Sequence, residues 1–208
     1  MRRVAARLAC GLALFILIGW GVGTLWLSIV GSVDVNAVRD LAAERSMALT
    51  EVARVITWAG SAFLLVPLAL LACLLLARAG LRREAIAVAI SLGGALLISD
   101  CVKLLVSRSR PPVMHLQAVS GASFPSGHAT QASAFWFSLV LVARATRTAP
   151  LLRNVAAGAA LLLVCAVALS RVYLAVHYPA DVLAGILLGT GWAVFVARSL
   201  RLPEATVR

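Results

Sequence analysis

The chain has 208 residues, of which 62% are hydrophobic and only 13% are charged, and its mean hydropathy is +0.99. A soluble domain of this length could not bury so many apolar side chains in one core, so the composition excludes a soluble globular protein and indicates an integral membrane protein. The net charge of +11 does not indicate nucleic-acid binding, because no basic stretch carries the interleaved aromatic residues on which bases stack.

Six apolar segments predict membrane-spanning helices. The first two are uncharged and long enough to cross a hydrocarbon core of ~30 Å, and the other four are shorter. In chain order they are Leu8 to Val33, Val55 to Ala77, Ala85 to Leu105, Ser126 to Ala143, Asn154 to Ser170 and Val182 to Ala197. We therefore predict an all-α, polytopic membrane protein in which residues 1–208 form a single domain of six transmembrane helices.

The arginines are concentrated on one side of this layout. Those at the two termini and in the loops after the second and fourth spans are Arg2, Arg3, Arg7, Arg78, Arg82, Arg83, Arg144, Arg147, Arg153, Arg198, Arg201 and Arg208. The opposite side balances its basic residues with acidic ones. The positive-inside rule therefore predicts that both termini are cytoplasmic, and the basic surplus is suited to contact with anionic lipid headgroups.

The segment between the first two spans, Gly31 to Arg54, is predicted to be a long outer loop. Its apolar residues recur at roughly helical spacing, which leaves open whether it forms an interfacial helix or a solvated loop. Prolines predict other boundaries. Pro111 and Pro112 should end the third span, Pro150 should open the fifth and Pro179 the sixth.

Charged side chains gather at the outer ends of spans three to six. A charge at membrane depth costs ~2.5 kcal/mol or more on insertion scales, so these residues are functional candidates. Lys103 and Arg110 would share one stripe of a continuous helix, where two cations repel unless an anion lies with them. Alternatively, both extend to the headgroups. Arg108 is expected to do the same, with contact to a substrate headgroup as its alternative, and Asp100 is expected to pair with Lys103.

The stretch SFPSGHATQAS predicts the start of a helix. Ser126 occupies an N-cap position, and Gly127 lets the backbone approach a ligand closely. Free amides at a helix start favour phosphate or another oxyanion, to which His128 in the first turn could donate a proton. The alternative is an ordinary cap with an interfacial histidine.

Three polar residues interrupt the apolar stretch ALSRVYLAVHYPADVLAG. His177 lies just before the last helix and Asp181 in its first turn. The carboxylate can therefore accept one ring N–H and leave the other nitrogen free to attack. Arg171 offers a planar fork of donors for an oxyanion. A plain Arg171–Asp181 ion pair is the alternative. Taken together, these groups predict a phosphoryl-binding site at the outer face.

Three segments, KLLVSRSRP (103–111), PSGH (125–128) and SRVYLAVHYPAD (170–181), closely resemble the signature of the type-2 phosphatidic acid phosphatase and haloperoxidase superfamily. The resemblance implies a lipid phosphatase, a phosphoric monoester or diphosphate hydrolase that needs no metal or other cofactor. It implies a set of residues that bind phosphate: Lys103, Arg110, Ser126, Gly127 and Arg171. It also implies that His177 attacks phosphorus to form a phosphohistidine and that Asp181 orients His177. His128 would act as general acid and later activate water.

The resemblance and the layout imply action at the outer, periplasmic face of a bacterial-type cytoplasmic membrane. Undecaprenyl-type (polyprenyl) diphosphate is the expected substrate, with phosphatidylglycerophosphate, phosphatidate and lipid A phosphate as alternatives, because the signature recognises only phosphate. Vanadate-dependent halide oxidation is a second chemistry of the same superfamily, against which six spans argue. A non-enzymatic anion- or lipid-binding membrane protein is the remaining alternative. The sequence predicts no oligomeric state.

Overall fold

The computed structural model describes residues 2–146 and 148–202, and in that part of the chain all regular structure is helical. The helices are α1 (Arg2–Ala43), α2 (Met47–Thr57), α3 (Ala62–Arg78), α4 (Arg82–Val106), α5 (Gly127–Ala145), α6 (Pro150–Tyr173) and α7 (Pro179–Ser199), with a 3₁₀ turn at Trp58–Gly60. The all-α prediction is confirmed. The predicted N-cap at Ser126 and the helix starts at Pro150 and Pro179 are also confirmed.

Four helices, α1, α4, α6 and α7, are long and apolar enough to cross a membrane, and α2 and α3 qualify together as a fifth span bent by 42°. The protein is therefore a multi-pass membrane protein. The remaining long helix, α5, carries buried polar residues such as Thr130, Gln131 and Ser133 where a lipid-facing helix would be apolar. It packs against α4, α6 and α7, so it needs no apolar face toward lipid.

Of the two alternatives left open for the segment from Gly31 to Arg54, a helix and a solvated loop, the structure supports the helix. Helix α1 continues to Ala43 and α2 begins at Met47, so only residues 44–46 separate them. The extension of α1 is stabilised by packing, because Val38 is buried in a cluster with residues of α6 and α7. The segment that the sequence left undecided is thus mostly helical and partly buried.

The prolines after α4 do not determine where that helix ends. It stops at Val106, and Ser107 has a left-handed backbone with a φ of 49°. A non-glycine residue with this φ turns the chain out of the helix before Pro111 is reached. Residues 107–126 then form an irregular connection between the end of α4 and the start of α5.

Helices α5 and α7 run parallel and approach closely at two glycines of α7. A Cβ on Gly189 would lie 2.2 Å from the carbonyl oxygen of Thr130, and one on Gly185 would lie 2.8 Å from that of Ser126. The Ser126 N–H also donates to the Asp181 carbonyl at 3.0 Å. This contact brings the N-termini of the two helices together, and the candidate site is built around them.

We expect Gly189→Ala to destabilise the protein, because the new Cβ would overlap a backbone atom of α5 that moves only if the helix moves. Overpacking of this kind costs ~1–3 kcal/mol, which a thermal melt in detergent would register as a lower Tm. Gly158→Ala on α6 is the matched control, since a Cβ there meets nothing within 4 Å. An unchanged Tm for Gly189→Ala would contradict the close contact.

Candidate active site

All eight residues predicted for the site lie at one end of the helix bundle. Lys103 is in the last turn of α4 and Arg171 in that of α6, while Arg110 belongs to the connection after α4. The remaining five are at the starts of α5 and α7: Ser126, Gly127, His128, His177 and Asp181. Since α5 and α7 run parallel and α4 and α6 run the opposite way, four helix ends meet at this face.

Arg171 is the most deeply buried cation of the site, with only 2% of its surface exposed. Its Nη1 donates to Thr57 Oγ1 at 2.8 Å and to Gln117 Oε1 at 2.6 Å. Its Nε is buried and has no hydrogen-bonding partner within the described residues. A buried, unused donor on a guanidinium is costly unless an acceptor binds there, so Arg171 is suited to an oxyanion.

Lys103 and Arg110 do not share a helical stripe, because α4 ends between them. The Nζ of Lys103 lies 3.1 Å from the position that a Cβ on Gly127 would occupy, so glycine leaves space for the ammonium group. Arg110 Nη1 donates to the Val176 carbonyl at 2.5 Å, and its Nε donates to that of Gly121 at 3.0 Å. Arg110 thereby fastens the connection before α5 to the segment before α7.

The three cations form one cluster with the histidines. Lys103 experiences the negative charges of Asp100 and Asp181 as well as the positive charges of Arg110 and Arg171. His128 experiences the charges of all three cations together with that of His177. Among residues 2–146 and 148–202, none of the three cations has a carboxylate within 4 Å. Such a cluster can bind an anion with several oxygens, since mutual repulsion is relieved when one is present.

The expected Asp100–Lys103 ion pair is wrong, and so is the alternative ion pair between Arg171 and Asp181. Asp181 pairs with Arg108 and not with Arg171, and Asp100 forms no ion pair in the described part of the chain. Asp100 is exposed, whereas the Lys103 ammonium group turns toward Gly127. The expectation that Arg108 extends to the headgroups is wrong as well, because its side chain is nearly buried.

His177 is 2% exposed and lies just before α7. Its Nδ1 faces Asp181 Oδ2 at 3.5 Å, slightly beyond ordinary hydrogen-bond length. Burial lowers the pKa of His177 to about 4, against the opposing effect of the Asp181 carboxylate. The imidazole is therefore neutral at pH 7, and a proton on Nδ1 leaves the lone pair on Nε2.

Asp181 is fully buried and uses both carboxylate oxygens. Oδ2 accepts from the Tyr178 N–H at 2.9 Å and from the Ser123 hydroxyl. Oδ1 accepts from Arg108 Nη1 at 2.6 Å, and Arg108 Nη2 in turn donates to Asp34 Oδ2 of α1 at 2.7 Å. Sequence reasoning missed this use of Arg108 and Asp34. The only available signal was a carboxylate near the end of an apolar span, which by itself marks a candidate.

Residues 84–202 match the PAP2 superfamily, and this segment is more than half of the chain. The chain belongs to the PAP2 superfamily. All eight predicted site residues fall inside the PAP2 segment, whereas α1, α2 and α3 precede it. In the described part of the chain, no cluster of three or more His, Cys, Asp or Glu side chains could hold a metal ion.

Two curated relatives differ in what their names say they hydrolyse. Decaprenylphosphoryl-5-phosphoribose phosphatase of Mycobacterium tuberculosis is 40% identical over 96 residues, which cover 44% of this chain and 48% of the relative. Glucose-6-phosphatase catalytic subunit 1 of Haplochromis xenognathus is 34% identical over 100 residues, which cover 43% of this chain and 35% of the relative. The chain thus spans about half the length of the curated relatives it matches, or less.

The PAP2 fold extends beyond the matched segment in a solved structure. The transmembrane PAP2-type phosphatidylglycerolphosphate phosphatase of Bacillus subtilis superposes with a TM-score of 0.77 at 27% identity. The superposition covers 91% of this chain and 94% of the Bacillus chain. The N-terminal helices therefore belong to the shared architecture even though the family match begins at residue 84.

We expect His177 to remain neutral in mildly acidic buffer, because burial holds its pKa at about 4. The ring ¹⁵N signals of His177 can be assigned because they disappear in His177→Gln. In the wild type in detergent, these signals would keep the pattern of a neutral imidazole between pH 7.5 and pH 5.5. The unfolded chain binds more protons as the pH falls from ~6.5, so the folded protein loses stability from there toward pH 4. An imidazolium pattern with a midpoint near 6.5 would contradict the burial.

Proposed function

We propose that the protein hydrolyses a lipid-linked phosphate through a covalent phosphohistidine. The observation that carries the proposal is the cluster of Lys103, Arg110 and Arg171, which has no carboxylate partner in the described residues and includes the unused, buried Nε of Arg171. Two histidines share the cluster. Three cations can neutralise the charge on a phosphoryl group without a metal ion.

The first step transfers the phosphoryl group to the protein. Lys103, Arg110, Arg171 and the amides at the start of α5 hold the phosphate oxygens. The Nε2 lone pair of His177 attacks phosphorus, and the bond from phosphorus to the leaving oxygen breaks. The leaving oxygen takes the electron pair and receives a proton from His128. Asp181 keeps the Nδ1–H of His177 oriented and stabilises the cationic ring that forms.

The second step releases inorganic phosphate. His128, now neutral, accepts a proton from a water molecule whose oxygen attacks phosphorus. The bond between phosphorus and Nε2 breaks, and its electron pair returns to the imidazole of His177. Both histidines regain their starting protonation states, so the net reaction consumes one water.

For the membrane arrangement, we propose six spans, with the bent α2–α3 pair as the second and α5 as the fourth. Both termini then face the cytoplasm, and the four helix ends that form the site face outward. The arginines at the opposite ends of the helices support this orientation. In a bacterial-type cytoplasmic membrane the site would open to the periplasm, level with the headgroups of the outer leaflet.

The substrate class that we propose is a polyprenyl-linked phosphate, with undecaprenyl-type diphosphate as its first member. The name of the mycobacterial relative, which is 40% identical over its matched segment, refers to a decaprenylphosphoryl phosphoribose. Both compounds present a terminal phosphate on a long isoprenoid anchor. Phosphatidylglycerophosphate, phosphatidate and lipid A phosphate are the alternatives.

A substrate panel in detergent containing EDTA tests this proposal. We expect kcat/KM for polyprenyl diphosphate or polyprenylphosphoryl phosphoribose to exceed that for the other three lipids and for glucose 6-phosphate by about tenfold or more. Activity should persist in EDTA, because the cations replace a metal. A preference for glucose 6-phosphate would contradict the lipid substrate, and loss of turnover in EDTA would contradict the metal-free mechanism.

Replacement of the proposed nucleophile tests the covalent step. We expect His177→Gln to lower phosphate release by about a thousandfold or more and to abolish ³²P labelling of the protein, while its elution from a sizing column stays unchanged. His115→Gln is the matched control, because His115 is exposed in the connection after α4 and should keep full turnover. Substantial turnover in His177→Gln would contradict the mechanism.

A further inference from the structure

We infer that Asp34 of α1 is a positioning residue for the nucleophile: by binding Arg108, it fixes the carboxylate of Asp181 in the orientation that His177 requires. The inference rests on the proposed function, since it gives Asp34 and Arg108 a part in the same phosphoryl transfer. It adds a residue from a helix that lies outside the matched family segment of 84–202.

The guanidinium of Arg108 bridges two buried carboxylates. Nη1 lies 2.6 Å from Asp181 Oδ1 and Nη2 lies 2.7 Å from Asp34 Oδ2, while the side chains of Arg108, Asp34 and Asp181 are 10%, 4% and 0% exposed. The guanidinium carbon lies 3.8 Å from the centroid of the Tyr178 ring. A planar fork that binds an acid at each Nη and stacks on an aromatic face has one orientation.

Asp34 is itself fixed at the start of α7. Its Oδ1 accepts from the Ala180 N–H at 3.1 Å. Ala180 is the neighbour of Asp181 in the first turn of α7. The two oxygens of Asp34 therefore tie α1 both to α7 and to Arg108. With Asp181 Oδ1 held by Arg108, the other oxygen, Oδ2, faces Nδ1 of His177 while it also accepts from the Tyr178 N–H and the Ser123 hydroxyl.

The charges in this group give Asp34 a second effect on the reaction. Two carboxylates share one guanidinium, so the cluster carries one net negative charge beside His177. Without the charge of Asp34, Arg108 would neutralise Asp181 completely. The cationic ring that forms during phosphoryl transfer would then lose part of its stabilisation. Neither Asp34 nor Arg108 belongs to the proposed phosphate-binding set, so the loss should appear in kcat and not in KM.

The test compares two aspartates of the same helix. Asp34→Asn keeps the shape of the side chain and removes its charge, and we expect kcat per folded molecule to fall about tenfold or more with KM within about twofold of wild type. Asp40→Asn is the matched control, because Asp40 is exposed on α1; both of its constants should be unchanged. Arg108→Lys keeps the positive charge but replaces the planar fork with a single nitrogen, which cannot hold the two carboxylates in the same geometry, so it should repeat the defect in kcat.

A measurement without turnover separates this inference from the proposed function. In Asp34→Asn, the ring ¹⁵N signals of His177 should shift, because one negative charge beside the ring is lost and Arg108 loses one of the two carboxylates that orient it. If the wild type releases no phosphate from any substrate, the proposed function fails, and the shift alone decides the role of Asp34. Unchanged His177 signals would overturn the inference. So would a kcat within twofold of wild type in both Asp34→Asn and Arg108→Lys, or a KM that rises while kcat is retained.

Discussion

The structure depends on holding three cationic side chains together at one end of a helix bundle. Removing an ion from water costs several kcal/mol even after relaxation, and Lys103, Arg110 and Arg171 have no carboxylate partner in the described residues. The surroundings offset part of this cost with neutral acceptors: backbone carbonyls for Arg110, and Thr57 and Gln117 for Arg171. Neutral acceptors hold the guanidinium groups in place without cancelling their charge, which keeps the cluster attractive to an anion.

The close packing of α5 against α7 determines where the histidines lie. Both helices begin at the same face, and the glycines of α7 let the backbones approach until the Ser126 amide donates to the Asp181 carbonyl. Two helix N-termini side by side add their partial positive charges to those of the cations. The same contact connects the start of α5, with His128, to the start of α7, beside His177. A wider spacing between these helices would separate the two histidines as well.

Much of the site was predictable because its residues are specified by local patterns. A serine before an apolar run predicts a cap, a proline predicts the first turn of a helix, and the three-part signature predicts which side chains converge.

The Asp34–Arg108–Asp181 bridge was not predictable, because it joins residues from three distant parts of the chain without any shared periodicity. The early end of α4 depends on the backbone of Ser107, and the extension of α1 depends on burial of Val38. Tertiary packing stabilises the extension of α1, and neither feature appears as a pattern within a window of sequence.

The polar and nearly enclosed character of α5 has a consequence for how the chain enters a membrane. A segment that begins with His128, Thr130 and Gln131 is a poor substrate for insertion on its own, since polar residues raise the free energy of partitioning into lipid. Its favourable environment consists of α4, α6 and α7, and two of these helices are synthesised after it. We therefore expect α5 to reach its packed position only after α6 and α7 have been synthesised. The four helix ends of the candidate site would then come together late in the insertion of the chain.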